Sequence, residues 1–151
     1  MYKHILFPYD GSQLSRKAES ECFVFAKFLG ARVTVMRVVP YSDVHRVGGG
    51  LPAQMQRLVT AELEAAFEAE ARSMLADLQS RARASGVECD TAVGIGAEPY
   101  RAIVQHAEKA RCDLIMMASH RRAPLDALLH GSQTMKVLAH CRIPVFVVQA
   151  R

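Results

Sequence analysis

Two runs of consecutive apolar residues, Leu114-Ile115-Met116-Met117-Ala118 and Pro144-Val145-Phe146-Val147-Val148, constrain this chain more than any other feature. Neither alternates apolar with polar positions, so a strand built from either leaves no face for water and must be covered on both sides. The strands these runs mark are Asp113 to Ala118 and Pro144 to Val148. Lys3 to Tyr9, Arg32 to Val39 and Val87 to Gly94 read as three further strands; Pro8 is tolerable only near the end of the first, and Pro40 ends the second. Helical patterns separate them. Ser12 to Leu29 places Leu14, Ala18, Cys22, Phe25, Ala26 and Leu29 on one stripe, with Gly30 to stop it. About Ala53 to Ala84 is rich in Ala, Glu, Leu and Arg and is closed by Gly86. Pro99 to Arg111 has proline in its first turn, and Ser132 to His140 is a short helix. Strand and helix in regular alternation predict a single α/β domain, a doubly wound five-stranded parallel sheet. At 151 residues the chain can bury a core without a metal or disulfide.

Composition narrows the class. Hydrophobic residues make up 50% and charged residues 23%, the balance of a globular protein and not of a disordered one. No apolar run nears the ~20 residues of a membrane span. The opening Met1-Tyr2-Lys3-His4-Ile5-Leu6-Phe7 lacks a signal-peptide pattern, so a cytoplasmic location is expected. Cys22, Cys89, Cys112 and Cys141 form no C-x-x-C pair and read as small buried or surface thiols; the six histidines show no metal-ligand spacing, so no metal site is expected. The net charge of +4 is concentrated from Ser119 onward, where Arg121, Arg122, Lys136, Arg142 and Arg151 face Asp126 alone. That excess suits a phosphate-bearing ligand or solubility. With no recognition helix and no interleaved aromatics, nucleic acid is not an expected partner.

In a doubly wound sheet ligands sit at the carboxyl ends of the strands, near the point where strand order reverses. Asp10-Gly11-Ser12 closes the first strand there. The carboxylate can accept from a ribose hydroxyl or an adenine amino group, Gly11 permits a tight turn and Ser12 can cap the helix; an ordinary capped turn has the same sequence. Gly131-Ser132-Gln133-Thr134 offers free backbone N–H groups and a hydroxyl at a helix start, which suits a phosphate or, again, a plain cap.

The chain as a whole resembles the universal stress proteins. The resemblance rests on the opening I-L-F-P-Y-D-G-S, on Gly96-Ala97-Glu98-Pro99, on Asp113 through His120, on Leu128-Leu129-His130-Gly131-Ser132 and on the closing I-P-V-F-V-V. It implies a Rossmann-like, adenine-nucleotide-hydrolase-type sheet of five parallel strands, a homodimer paired through the last strand (Val145, Phe146, Val147, Val148), and in many members an ATP or AMP site, with magnesium. It puts adenine and ribose against Asp10 and the backbone of Val38, with Gly94 and Gly96 nearby, Ser12 and Ser15 at the edge, and phosphates at Gly131, Ser132 and Gln133. The nucleotide-binding members carry a Gly-x2-Gly-x9-Gly-Ser/Thr pattern. Here its positions hold Ala118, Arg121, Gly131 and Ser132, and Pro124 removes a donor from the same loop. Two readings stay open: the site has degenerated and ATP binding is impaired, or Arg121 and Arg122 hold phosphate with guanidinium groups.

No P-loop is present. Gly94-Ile95-Gly96 follows a strand, but Pro99 stands where a dinucleotide fingerprint needs glycine. His120 is the lone suggestive catalytic group, and a flavin carrier would want an aromatic sandwich in a chain that has no Trp. The expectation is a dimeric stress-response regulator working through unidentified protein contacts, without chemistry; the alternatives are an adenine-nucleotide sensor whose Tyr41–Pro52 loop is ordered by the ligand, and a slow ATPase. Met55, Met74 and Met135 read as core fillers.

Overall fold

A computed structural model describes residues 1–41, 50–120 and 133–150. The elements run β1 (His4–Pro8), α1 (Gln13–Leu29), β2 (Arg32–Pro40), α2 (Ala53–Ala84), β3 (Cys89–Gly96), α3 (Pro99–Lys109), β4 (Leu114–His120), α4 (Gln133–His140) and β5 (Val145–Ala150). Every strand pair is parallel, in the order β3-β2-β1-β4-β5. The expected doubly wound sheet is therefore present, and strand order reverses at β1, between β2 and β4.

Successive residues of the central strands enter opposite layers, which is why the runs do not alternate. Ile5, Phe7, Val33, Val35, Leu114 and Met116 pack with Ala18, Cys22, Phe23 and Ala26 of α1 and Leu75, Leu78 and Ala82 of α2. Leu6, Met36, Val38, Ile115 and Met117 pack on the other face with Tyr100, Ile103 and Ala107 of α3 and Val137 of α4. Each fully buried Phe, Leu or Ile contributes on the order of 2–3 kcal/mol.

Several boundaries differ from the sequence reading, each for a local reason. Phe23 and Ser15 are buried on α1, whereas Leu14, Phe25 and Leu29 lie half-buried along its flank, where Phe25 stacks on Phe146 at 5.2 Å. Val87 spends its N–H on the carbonyl of Ala82 at the end of α2, so β3 begins at Cys89 and carries Gly94 and Gly96 inside the strand. Helix α3 stops at Lys109, and Arg111 takes a left-handed turn (φ 55°) that lets Cys112 donate to Ala107. Of the three methionines read as core, Met74 packs against the α1/α2 layer, but Met55 and Met135 are exposed because those turns of α2 and α4 face outward.

At the opposite end of the sheet from the strand termini, His4 is buried with Nε2 2.8 Å from Thr34 Oγ1 and Nδ1 3.1 Å from Arg32. Arginine only donates, so Nδ1 accepts, Nε2–H donates to Thr34, and the ring is neutral. Burial, then the Arg32 charge, hold its pKa below the ordinary 6.5; His106 is lowered by burial and Lys109. The unfolded chain therefore takes protons more readily than the folded one. This contribution to stability is complete above 6.5 and is lost as pH falls below it. Melting temperature is expected to drop between pH 7.5 and 5.5, and His4→Gln should flatten that slope, with His106 supplying the remainder. Identical slopes for wild type and variant would contradict the assignment.

Candidate functional site

The ladder between β1 and β4 covers only Ile5↔Leu114 and Leu6↔Ile115, although β4 runs on to His120 beside β5. The paired ladder between the two strands thus ends at Leu6, short of their carboxyl ends. Strand order reverses there, the position at which doubly wound sheets take ligands.

The β1–α1 turn lies at that end of the sheet. Gly11 adopts φ +76°, and Ser12, extended at φ −64° and ψ 159°, caps α1 by accepting from the Ser15 N–H. Asp10 Oδ1 accepts from the Ser12 N–H at 2.9 Å and the Ser15 hydroxyl at 2.7 Å. Burial of the carboxyl opposes its ionisation, but hydrogen bonds from Ser12 and Ser15, helped by the Arg37 charge, outweigh that and hold it below the ordinary carboxylate value. The result is a fixed anion whose bonds, among the described residues, all fall on one oxygen.

Of the other expected residues, Val38 and Gly94 face each other across β2 and β3, as do Pro40 and Gly96. The side chain of Val38 is buried in the α3/α4 layer, which leaves its backbone as the part that can serve a ligand. Gly94 also has a packing reason to be glycine, since a Cβ there would lie 2.8 Å from the Met36 methyl. Ala118 is half-buried in β4 opposite Val148. Gln133 plays a part the sequence reading missed: its Oε1 accepts the Tyr100 N–H at 2.9 Å, supplying to α3 the cap that Glu98 does not. Its side chain is thereby committed to structure. Arg121, Arg122, Gly131 and Ser132, and most of the Tyr41–Pro52 loop, lie outside the described residues.

Arg37 was also not anticipated. It donates from Nη1 to the Asp10 carbonyl at 2.9 Å. A cation interrupting the apolar run V-T-V-M-R-V-V at the carboxyl end of a strand was the available signal.

Groups for covalent or metal chemistry are not assembled among the described residues. No cluster of His, Cys, Asp or Glu there could hold a metal ion. Burial pushes the thiols of Cys89 and Cys112 up to about 11 and that of Cys22 higher still, so these cysteines stay protonated. No described helix is long and apolar enough to cross a membrane.

Comparison with known proteins agrees with this architecture. The profile of the "Universal stress protein family" matches residues 1–149. A universal stress protein of Methanocaldococcus jannaschii is 32% identical over 149 residues, covering 99% of this chain and 83% of the relative. Among solved structures, a universal stress protein family member from Burkholderia pseudomallei superposes with a TM-score of 0.76 at 25% identity, covering 99% of this chain and 97% of the other. A universal stress protein solved in complex with cAMP superposes with a TM-score of 0.70 at 19% identity, covering 99% and 98%. With a family profile spanning nearly every residue and a sheet wound in the same manner, this chain belongs to the universal stress protein family.

Proposed function

We propose that this protein is a cytoplasmic, homodimeric stress-response regulator that works by binding and contact, with a nucleotide site that keeps its nucleoside half and has lost much of its capacity for ATP. The observation that carries this reading is the Asp10 carboxylate. The Ser12 N–H and the Ser15 hydroxyl fix its Oδ1, and among the described residues no hydrogen bond is formed by Oδ2, the oxygen that would accept from a ribose hydroxyl or an adenine amino group. The backbone at Val38 and the side-chain-free Gly94 and Gly96 lie at the same end of the sheet. The phosphate half departs from the pattern: Ala118 and Arg121 stand at two glycine positions, Pro124 removes an N–H, and only Gly131 and Ser132 are kept. The structurally similar protein bound to cAMP supports an adenine ligand with a single phosphate. Four unpaired cysteines suit a reducing compartment.

Calorimetry on nucleotide-stripped protein tests this. Adenosine, AMP and magnesium-ATP are expected to bind within about threefold of one another, because the β- and γ-phosphates gain nothing from the altered loop. ATP binding more than about tenfold tighter than AMP, and weakened by Arg121→Ala, would replace this reading with a nucleotide sensor in which Arg121 and Arg122 hold the phosphates; the basic excess after Ser119 is the observation favouring that second reading.

The dimer reading rests on β5. Among the described residues it pairs with β4 alone and stands at the edge of the sheet. Helix α1, which packs against β5, presents apolar side chains there: Val24 (71% exposed) and Phe28 (82%). A groove of about 470 Å³ between α1 and β5 is lined by Val24, Phe25, Phe28, Met116 and Phe146 with Ser20 and Glu21. An apolar edge strand flanked by apolar surface on its α1 side invites a second sheet edge.

A further inference from the structure

We infer that Arg37 is the positioning residue of the candidate site, fixing the main chain of Asp10 from β2 so that its carboxylate is presented to a hydroxyl- or amino-bearing ligand. The inference rests on the nucleoside-site reading above. Its starting point is the end of the β1–β2 ladder. The Tyr9 N–H donates to the Met36 carbonyl at 2.8 Å, and one residue later the carbonyl of Asp10 is met by the Arg37 guanidinium at 2.9 Å. A side chain thus continues a ladder at the point where the chain must leave the sheet and turn.

The choice of arginine carries a cost that a filler would not. Arg37 follows Val33 and Val35 in the alternation that faces the α1/α2 layer, where both valines are fully buried. A third apolar residue would extend that layer. Instead a half-buried cation stands there, and part of its hydration is replaced by the Asp10 carbonyl. The planar fork reaches the carbonyl while its charge stays beside the Asp10 carboxylate. Ser12 and Ser15 fix the carboxylate from the α1 side, Arg37 fixes the backbone from the β2 side, and Met74 of α2 lies over Gly11 between them. The other charged groups near this turn, Arg16 and Glu19 of α1 and Arg81 of α2, bear on Tyr9, and Arg81 is paired with Glu19 at 2.6 Å. Arg37 is the charged residue that touches Asp10 among the described residues.

The experiment compares wild type, Arg37→Met and Arg37→Lys by carboxyl-detected NMR titration of Asp10 and by calorimetry with adenosine. Arg37→Met should raise the Asp10 midpoint, since the Arg37 charge helps hold it down, and weaken adenosine about tenfold. Arg37→Lys keeps the charge and loses the fork, so its midpoint should stay near wild type while adenosine weakens by an intermediate factor. A raised midpoint in Arg37→Met with no adenosine binding to wild type would support the coupling of Arg37 to Asp10 and remove the nucleoside reading instead. An unchanged midpoint, or adenosine binding equally well to wild type and Arg37→Met, would overturn the inference, whatever happens to melting temperature.

Discussion

Gly11→Ala is expected to lower the melting temperature by about 2–8 °C and to weaken adenosine at least about tenfold, whereas Gly30→Ala produces a similar thermal loss with adenosine affinity unchanged. Both glycines sit in the left-handed region, at φ +76° and +61°, where an L residue costs roughly 1–2 kcal/mol. In a domain of this size each kcal/mol corresponds to about 2–4 °C. The pair separates strain from function. Gly30 ends α1 with no atom within 4 Å of an added Cβ, and it lies at the far end of that helix from Asp10. A Cβ at Gly11 would meet Met74 at 3.0 Å from Cε and 3.2 Å from Sδ. The thioether is flexible and yields, so the added thermal cost is small. What shifts the turn that aims Asp10 is the backbone strain of an L residue at φ +76°, and adenosine affinity reads that shift. Thermal melting and calorimetry on the two variants give the answer; unaltered adenosine affinity in Gly11→Ala would separate the turn from the ligand site.

The sheet was legible because its central strands β1, β2 and β4 are buried on both faces. The run Val145 to Val148 marked a strand but not its surroundings: β5 lies at the sheet edge, where of these four residues Val148 alone is buried and Phe146 is 44% exposed, so cover on both sides is not what its apolar run reflects. The glycines and prolines between the runs marked element ends to within a residue or two. What was not legible depended on contacts between distant segments. The N–H of Val87 is claimed by Ala82, so the third strand starts two residues late. The outward turns of α2 and α4 left Met55 and Met135 exposed, because composition does not reveal how far a 32-residue helix overhangs the sheet it covers. In the site, Asp10 and Ser12 could be placed from local turn chemistry alone. The roles of Arg37 and Gln133 could not: one reaches across 27 positions to the Asp10 carbonyl, the other across 33 to cap α3. Long-range side-chain to backbone bonds leave no periodic trace.

Val147→Pro is expected to convert a dimer into a monomer without unfolding it, because of which way the peptide groups of β5 point. The N–H of Ile115 donates to the carbonyl of Pro144, and Ile115 is in register with Val145. In a parallel ladder this turns the peptide groups of Phe146 and Val148 toward β4 and those of Val145 and Val147 toward the open edge. Proline at 147 therefore removes a donor that no bond within the sheet uses, while blocking any strand laid alongside. Two β5 edges paired antiparallel about a twofold axis perpendicular to the sheet bring α1 against the partner's α1, so Phe28 is buried twice. At roughly 2–3 kcal/mol for each phenyl ring, Phe28→Glu should weaken self-association at least about a hundredfold. Met55→Glu, on the helix over β2 and β3, should leave it unchanged. Light scattering across a concentration series distinguishes the cases. A dimeric Val147→Pro would remove β5 from the interface, and a monomeric Val147→Pro beside a dimeric Phe28→Glu would mean that the strand edges associate without the help of α1.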